Sequence, residues 1–197
     1  MKRMILTVLG LIALALPIVA QADAPAFELL DVNGTKHSLS QYKGKSVVLE
    51  WTNYDCPFVK KFYGTGAMQA LQAKYTDKEV VWLSICSSAP GNQGNFSPEQ
   101  WKQRIKDAGS NATAVLLDED GKVGRAYGAS NTPHIFVVGR DGKLAYQGSV
   151  DDQRSADPDS IKGARSYLAE ALDALLQGKA VPTAKTKPYG CSVKYAK

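Results

Sequence analysis

Residues 46–63 run Ser-Val-Val-Leu-Glu-Trp-Thr-Asn-Tyr-Asp-Cys-Pro-Phe-Val-Lys-Lys-Phe-Tyr, and the hydrophobic period changes partway along them. Val47, Val48, Leu49 and Trp51 form an apolar, β-branched run typical of a strand covered on both faces, while Phe58, Val59 and Phe62 recur at helical spacing. Cys56 stands at the junction, just before a helix whose first turn holds Pro57, where a missing N–H costs nothing. A thiol in that position faces unpaired backbone N–H groups and the positive end of the helix dipole, both of which favour the thiolate. Lys60 and Lys61 add positive charge nearby. The competing reading of Cys56 is a small, buried apolar residue.

Upstream of this stretch, Phe27 to Leu39 places short apolar pieces around Asn33-Gly34, which predicts two short hairpin strands at the sheet margin. Beyond the junction, Gly64 and Gly66 interrupt a helical pattern that resumes through Met68, Leu71 and Tyr75, so a kink or break is expected there. Val80, Val81, Leu83 and Ile85 make a second buried strand ending at Cys86. Ser97-Pro98-Glu99-Gln100 starts a helix, with Ser97 as N-cap and Gln100 closing a capping box. Ala114 to Leu117 reads as a strand and Glu119 to Tyr127 as a weak helix. Ile135 to Val138 and Leu144 to Gln147 form a hairpin across Gly139-Arg140-Asp141-Gly142. Ile161, Ala164, Leu168, Ala171, Leu172 and Leu175 trace a last amphipathic helix that Gly178 stops. The alternation predicts an α/β architecture, a mixed sheet with helices on both faces.

Of the 197 residues, the first 22 read as a separate segment: Lys2 and Arg3, an apolar run from Met4 to Ala20, then Ala20-Gln21-Ala22 as a small-x-small cleavage site. That pattern predicts a signal peptide cut after Ala22, with periplasmic or secreted localisation and no membrane attachment after its removal. The expected organisation is residues 1–22 leader, 23–178 domain and 179–197 tail. The leader carries two positive charges and no negative ones, so a formal charge of +5 falls to +3, too weak and too scattered to argue for nucleic acid. Export would put Cys56, Cys86 and Cys191 where disulfides persist, and an odd count leaves at least one thiol free or paired outside the chain. So few cysteines point to reactive chemistry rather than a disulfide scaffold.

The strand ending Trp51-Thr52-Asn53-Tyr54-Asp55-Cys56-Pro57, the later Tyr127-Gly128-Ala129-Ser130-Asn131-Thr132-Pro133 and the closing hairpin together resemble a thioredoxin-like fold. The N-terminal β-hairpin extension makes the chain similar to the redoxin branch, the alkyl hydroperoxide reductase and thiol-specific antioxidant proteins. It is most similar to peroxiredoxin-like secreted proteins carrying Cys-Pro-Phe-Val, here Cys56 to Val59, an Asp151-Asp152 pair, and a terminal Gly-Cys-Ser-Val-Lys-Tyr, here Gly190 to Tyr195. The similarity implies a cis Thr132–Pro133 bond that presents Thr132 to a substrate beside Cys56 and Pro57. Two departures stand out. Val59 occupies the second cysteine's place in thioredoxin's Cys-x-x-Cys, and Leu49 and Asn53 occupy the Pro and Thr/Ser places of the peroxidase pattern.

The resemblance implies a thiol-dependent oxidoreductase that needs no cofactor, acts on a peroxide or a disulfide and draws electrons from an external thiol reductant. Cys56 would be the nucleophile, with Pro133 and Glu50 completing the catalytic set. Glu50, where thioredoxins carry a buried acid, is expected either to move protons with a raised pKa or to be a strand-end carboxylate paired with a lysine. Cys191, in a tail with no core role visible in the sequence, could resolve an oxidised Cys56 if the Cα atoms approach within ~7 Å; Cys86 is the other candidate. A copper-handling chaperone using Cys56 and His134 is the alternative from another class, although soft Cu(I) needs at least two good ligands; a non-catalytic binding module is a third. His37, the other histidine, is expected at the surface.

Overall fold

The computed structural model describes residues 21–197; nearly all of the expected leader, residues 1–20, lies outside the described residues. Among the described residues no helix is long and apolar enough to cross a membrane.

The buried run 47–51 is strand β3 (Val47–Trp51), with all five residues buried. It pairs in parallel with β4 (Val81–Cys86) and antiparallel with β7 (His134–Val138). β5 (Ala114–Leu117) extends the sheet beyond β4, and β8 (Leu144–Gly148) beyond β7. The N-terminal hairpin, β1 (Glu28–Asp31) and β2 (Lys36–Ser38), closes the far edge. The result is a seven-stranded mixed sheet in the order β2-β1-β5-β4-β3-β7-β8. His37 is not the surface residue expected of it: its ring is held by the Tyr42 hydroxyl at 2.5 Å and Asp31 at 3.3 Å.

Side chains alternate along β3, and the two apolar clusters divide accordingly. Val48 joins Val59 and Phe62 of α1 (Pro57–Gly64), Met68 and Tyr75 of α2 (Ala67–Thr76), Trp101 of α3 (Pro98–Asp107) and Leu168 and Leu172 of α5 (Tyr167–Leu176). Val47, Leu49 and Trp51 face the opposite cluster, which Tyr127 of α4 (Lys122–Tyr127) and the N-terminal segment cover. Helices thus lie on both faces, four against one.

The expected break between α1 and α2 falls at Thr65 and Gly66, where Gly66 takes a left-handed φ of 77°. The capping box opens α3 as the residues require: Ser97 Oγ accepts from Gln100 N at 3.3 Å and Gln100 Oε1 accepts from Ser97 N at 2.9 Å. Two helices start later than periodicity suggests. The buried Asp118 carboxylate holds the turn before α4, accepting from the N–H groups of Val123 at 3.2 Å and Gly124 at 2.8 Å. Ile161 and Ala164 precede α5, because a single 3-10 turn over Pro158–Ile161 is followed by Gly163, φ 77°, and Ser166 caps the helix by accepting from Ala169 N. The chain after Gly178 lies along the domain: Thr186 pairs with Gln147 of β8, and β9 (Cys191–Ser192) pairs with β6 (Asn131–Thr132) in a separate two-stranded sheet.

Candidate active site

Cys56 is the N-cap of α1, with Pro57 at the first helical position. The Thr132–Pro133 bond is cis, and the Thr132 carbonyl accepts from the Cys56 thiol at 3.2 Å. In β6 and β9, Thr132 is the register partner of Cys191, so the tail brings its cysteine to the residue whose carbonyl holds the Cys56 thiol. Cys56 is 0% exposed under this arrangement, while Cys191 remains partly accessible.

The two thiols are driven apart electrostatically. Burial pushes Cys56 up, but hydrogen bonds from Cys191, Thr132 and backbone N–H groups outweigh it and bring the thiol below its ordinary value. The Thr132 hydroxyl is buried without another partner, so it is free to donate to the sulfur once the proton has left. Cys191 moves to about 11, from its own burial and from sharing a hydrogen bond with Cys56. Of the two thiols, Cys56 is therefore the one that gives up its proton first, while Cys191 keeps its own.

The neighbouring charges differ from expectation. Lys61 does not serve Cys56: its side chain is fully buried, pointing to Asp151 Oδ2 at 3.3 Å, the Gln153 carbonyl at 2.9 Å and the Tyr189 hydroxyl at 3.2 Å. Asp55, whose charge would oppose a thiolate, is paired with Arg104 at 2.7 Å. His134 is not a partner of Cys56 either. On β7 it shares a face with Phe136, against which its ring is tilted at 4.3 Å, whereas Cys56 packs with Ile135 and Val137 on the other face. Burial depresses His134 to about 4, and its Nδ1 accepts from Ser130 N at 3.3 Å. The copper pairing of Cys56 with His134 therefore loses its geometric basis. Cys86 is buried, its thiol raised by desolvation, and its hydrogen bond goes to the Gly94 carbonyl at 3.4 Å rather than to another cysteine.

Glu50 is buried and has no lysine. It accepts from Trp82 Nε1 at 2.8 Å, Ser84 Oγ at 3.1 Å, the Tyr63 hydroxyl at 3.1 Å and Gln72 Nε2 at 3.4 Å. Desolvation nevertheless dominates these donors and raises its pKa above the ordinary 4.5. Because the folded state holds this proton more tightly than the unfolded chain, the associated stability is present below pH 4.5 and is lost as pH rises through the raised folded value. Glu50→Gln is expected to remove that loss. The gap between the urea midpoints of variant and wild type should widen in favour of the variant as pH climbs above 4.5. A gap independent of pH would mean that Glu50 does not titrate with the fold.

A cysteine capping the helix after a central strand, facing a cis-proline at the entrance of an antiparallel strand, defines a thioredoxin-like fold. The sequence model of the AhpC/TSA family matches residues 20–147, and the chain belongs to that family. Thiol-disulfide oxidoreductase ResA of Bacillus subtilis is 33% identical over 123 residues, 62% of this chain; the match spans 63% of that relative's length. Among solved structures, a hypothetical protein of Sinorhizobium meliloti superposes with a TM-score of 0.76 at 25% identity, covering 91% of this chain and 96% of that one. An uncharacterized conserved protein from Geobacillus kaustophilus gives 0.74 at 33% identity, covering 89% and 92%.

Proposed function

We propose that this protein is an exported thiol-disulfide oxidoreductase that uses Cys56 as its single nucleophile and Cys191 as its resolving thiol. What carries this is the pairing of Thr132 with Cys191, which sets a second thiol beside a helix-capping cysteine that lacks a Cys-x-x-Cys partner. The name of the ResA relative supports the reaction class, and the charge pattern of residues 1–22 supports export.

The Cys56 thiolate attacks one sulfur of a substrate disulfide, forming a mixed disulfide and expelling the other sulfur as a thiolate that takes up a proton. With the charge on Cys56 consumed, the part of the rise in Cys191 that Cys56 caused disappears, and Cys191 loses its proton more readily. Its thiolate then attacks the Cys56 sulfur and expels the second substrate thiol. The substrate gains two electrons, the protein is left with a Cys56–Cys191 disulfide, and an external thiol reductant restores both cysteines. A peroxide would enter the same cycle: Cys56 becomes a sulfenic acid with loss of water or alcohol, and Cys191 condenses with it, releasing water. The missing peroxidase pattern at Leu49 and Asn53 favours the disulfide as the main substrate.

Oxidation of the reduced protein with a slight excess of a small disulfide, followed by thiol blocking and peptide mass mapping, tests the reading. A Cys56–Cys191 linkage that disappears in Cys56→Ser is expected. Recovery of Cys56 unmodified would overturn the enzymatic reading.

A further inference from the structure

Two residues before Cys191, Tyr189 is 5% exposed although it belongs to a tail. Its hydroxyl donates to Asp151 Oδ1 and accepts from Lys61 Nζ at 3.2 Å, and its ring meets Phe58 edge-on at 5.9 Å. Lys61 and Phe58 both belong to α1, the helix that Cys56 caps. The buried ion pair is poorly aligned by itself: Lys61 Nζ stands 3.3 Å from Asp151 Oδ2, and that oxygen has no hydrogen bond. The tyrosine hydroxyl bridges the two charges and makes up part of the deficit, which a phenylalanine would not do. Immediately after it, Gly190 takes φ 129°, its carbonyl accepts from Asn131 Nδ2 at 2.9 Å, and a Cβ there would overlap the Thr132 carbonyl oxygen. The chain then enters the pairing that places Cys191 on Thr132.

We propose that Tyr189 is a positioning residue for the redox reaction: by joining the Lys61–Asp151 pair it ties the tail to the helix bearing Cys56 and sets how strongly Cys191 is held against that thiol. This rests on Cys191 being the resolving cysteine. The hydroxyl acts only through the tail, so its loss weakens the Cys56–Cys191 partnership without touching the reacting sulfurs. When the tail is lifted, Cys56, otherwise covered, is open to an incoming disulfide; Tyr189 thereby also sets how often a substrate gains access.

Tyr189→Phe keeps the ring on Phe58 and removes only the hydroxyl. Wild type and variant are equilibrated with mixtures of reduced and oxidised glutathione, in which protein dithiol and glutathione disulfide exchange for protein disulfide and two glutathiones. The variant is expected to show an equilibrium constant for the Cys56–Cys191 disulfide about tenfold lower, the scale of one hydrogen bond to a charged group. In Cys191→Ser backgrounds, Cys56 of the Tyr189→Phe protein should also react faster with an aromatic disulfide reagent. Amide exchange in the same samples separates positioning from general destabilisation. Faster exchange at Val193, whose N–H is bonded to the Ser130 carbonyl, with β3 unchanged, supports the proposal. An unchanged equilibrium constant, or equal loss of protection in β3 and β9, would overturn it. Absence of any Cys56–Cys191 disulfide in the wild type would instead overturn the reading on which it rests.

Discussion

Cys56→Ser is expected to lower the rate of disulfide exchange by on the order of a thousandfold or more, because the hydroxyl that replaces the thiolate is not ionised and cannot form the mixed disulfide. Cys191→Ser is expected to fail differently. Its Cys56 should still attack, releasing one equivalent of substrate thiol in a burst, and then stop as a stable mixed disulfide that only an added thiol clears. Cys86→Ser should leave both phases intact, since the Cys86 thiol is buried, raised in pKa and bonded to the Gly94 carbonyl. Stopped-flow release of an aromatic thiol, read beside intact mass, distinguishes the three. A Cys191→Ser protein that turned over as fast as wild type would transfer the resolving role to an external thiol.

Lys61→Met should cost the fold more stability than Glu50→Gln, Tyr189→Phe or any of the cysteine-to-serine changes. It leaves the Asp151 carboxylate, 4% exposed, without a cation, and stranding one charge of a buried pair typically costs about 3–5 kcal/mol. At roughly 2–4 °C per kcal/mol for a domain of this size, the melting temperature should fall by about 10 °C. Combining Lys61→Met with Asp151→Leu should recover most of that loss, because replacing both charges with apolar side chains removes the desolvation penalty along with the attraction. Urea denaturation of the two variants provides the comparison. A single variant as stable as the double one would show that Asp151 is hydrated or neutral in the fold.

Where interactions are local, the residues announced them. The change of period at Cys56, the capping box at Ser97 and the break at Gly66 each depend on neighbours within a turn or two, and each appears in the structure where the pattern places it. The start of α5 had local signals as well, Gly163 and Ser166, but apolar spacing carried the helix too far back, to Ile161. His134 was misplaced because β7 is apolar on both faces, so no alternation told Phe136's side from Ile135's. The Lys61–Asp151–Tyr189 cluster was hidden for a different reason. Lys61 looks like one of two adjacent surface lysines on a helix, and nothing within a turn of it says that it is fully buried. Its partners come from distant stretches of the chain, and only the folded sheet brings them together. Glu50 lies between these cases: its burial followed from the strand pattern, but its four donors come from β4, α1 and α2 and were not legible.

The pairing of β6 with β9 also orders the events of synthesis. Lys61 and Tyr189 are 128 residues apart, and a ribosome delivers Tyr189 through Tyr195 after every strand of the seven-stranded sheet. The sheet and α1 can form while that segment is still missing, so Cys56 passes through a period in which its helix is built and β9 is not yet in place. During that interval the thiol lacks the cover that β9 gives it, and Cys191, which pairs opposite Thr132, has yet to arrive. Arrival of β9 therefore marks the moment at which Cys191 is first set beside Cys56, the condition on which the proposed two-thiol cycle depends.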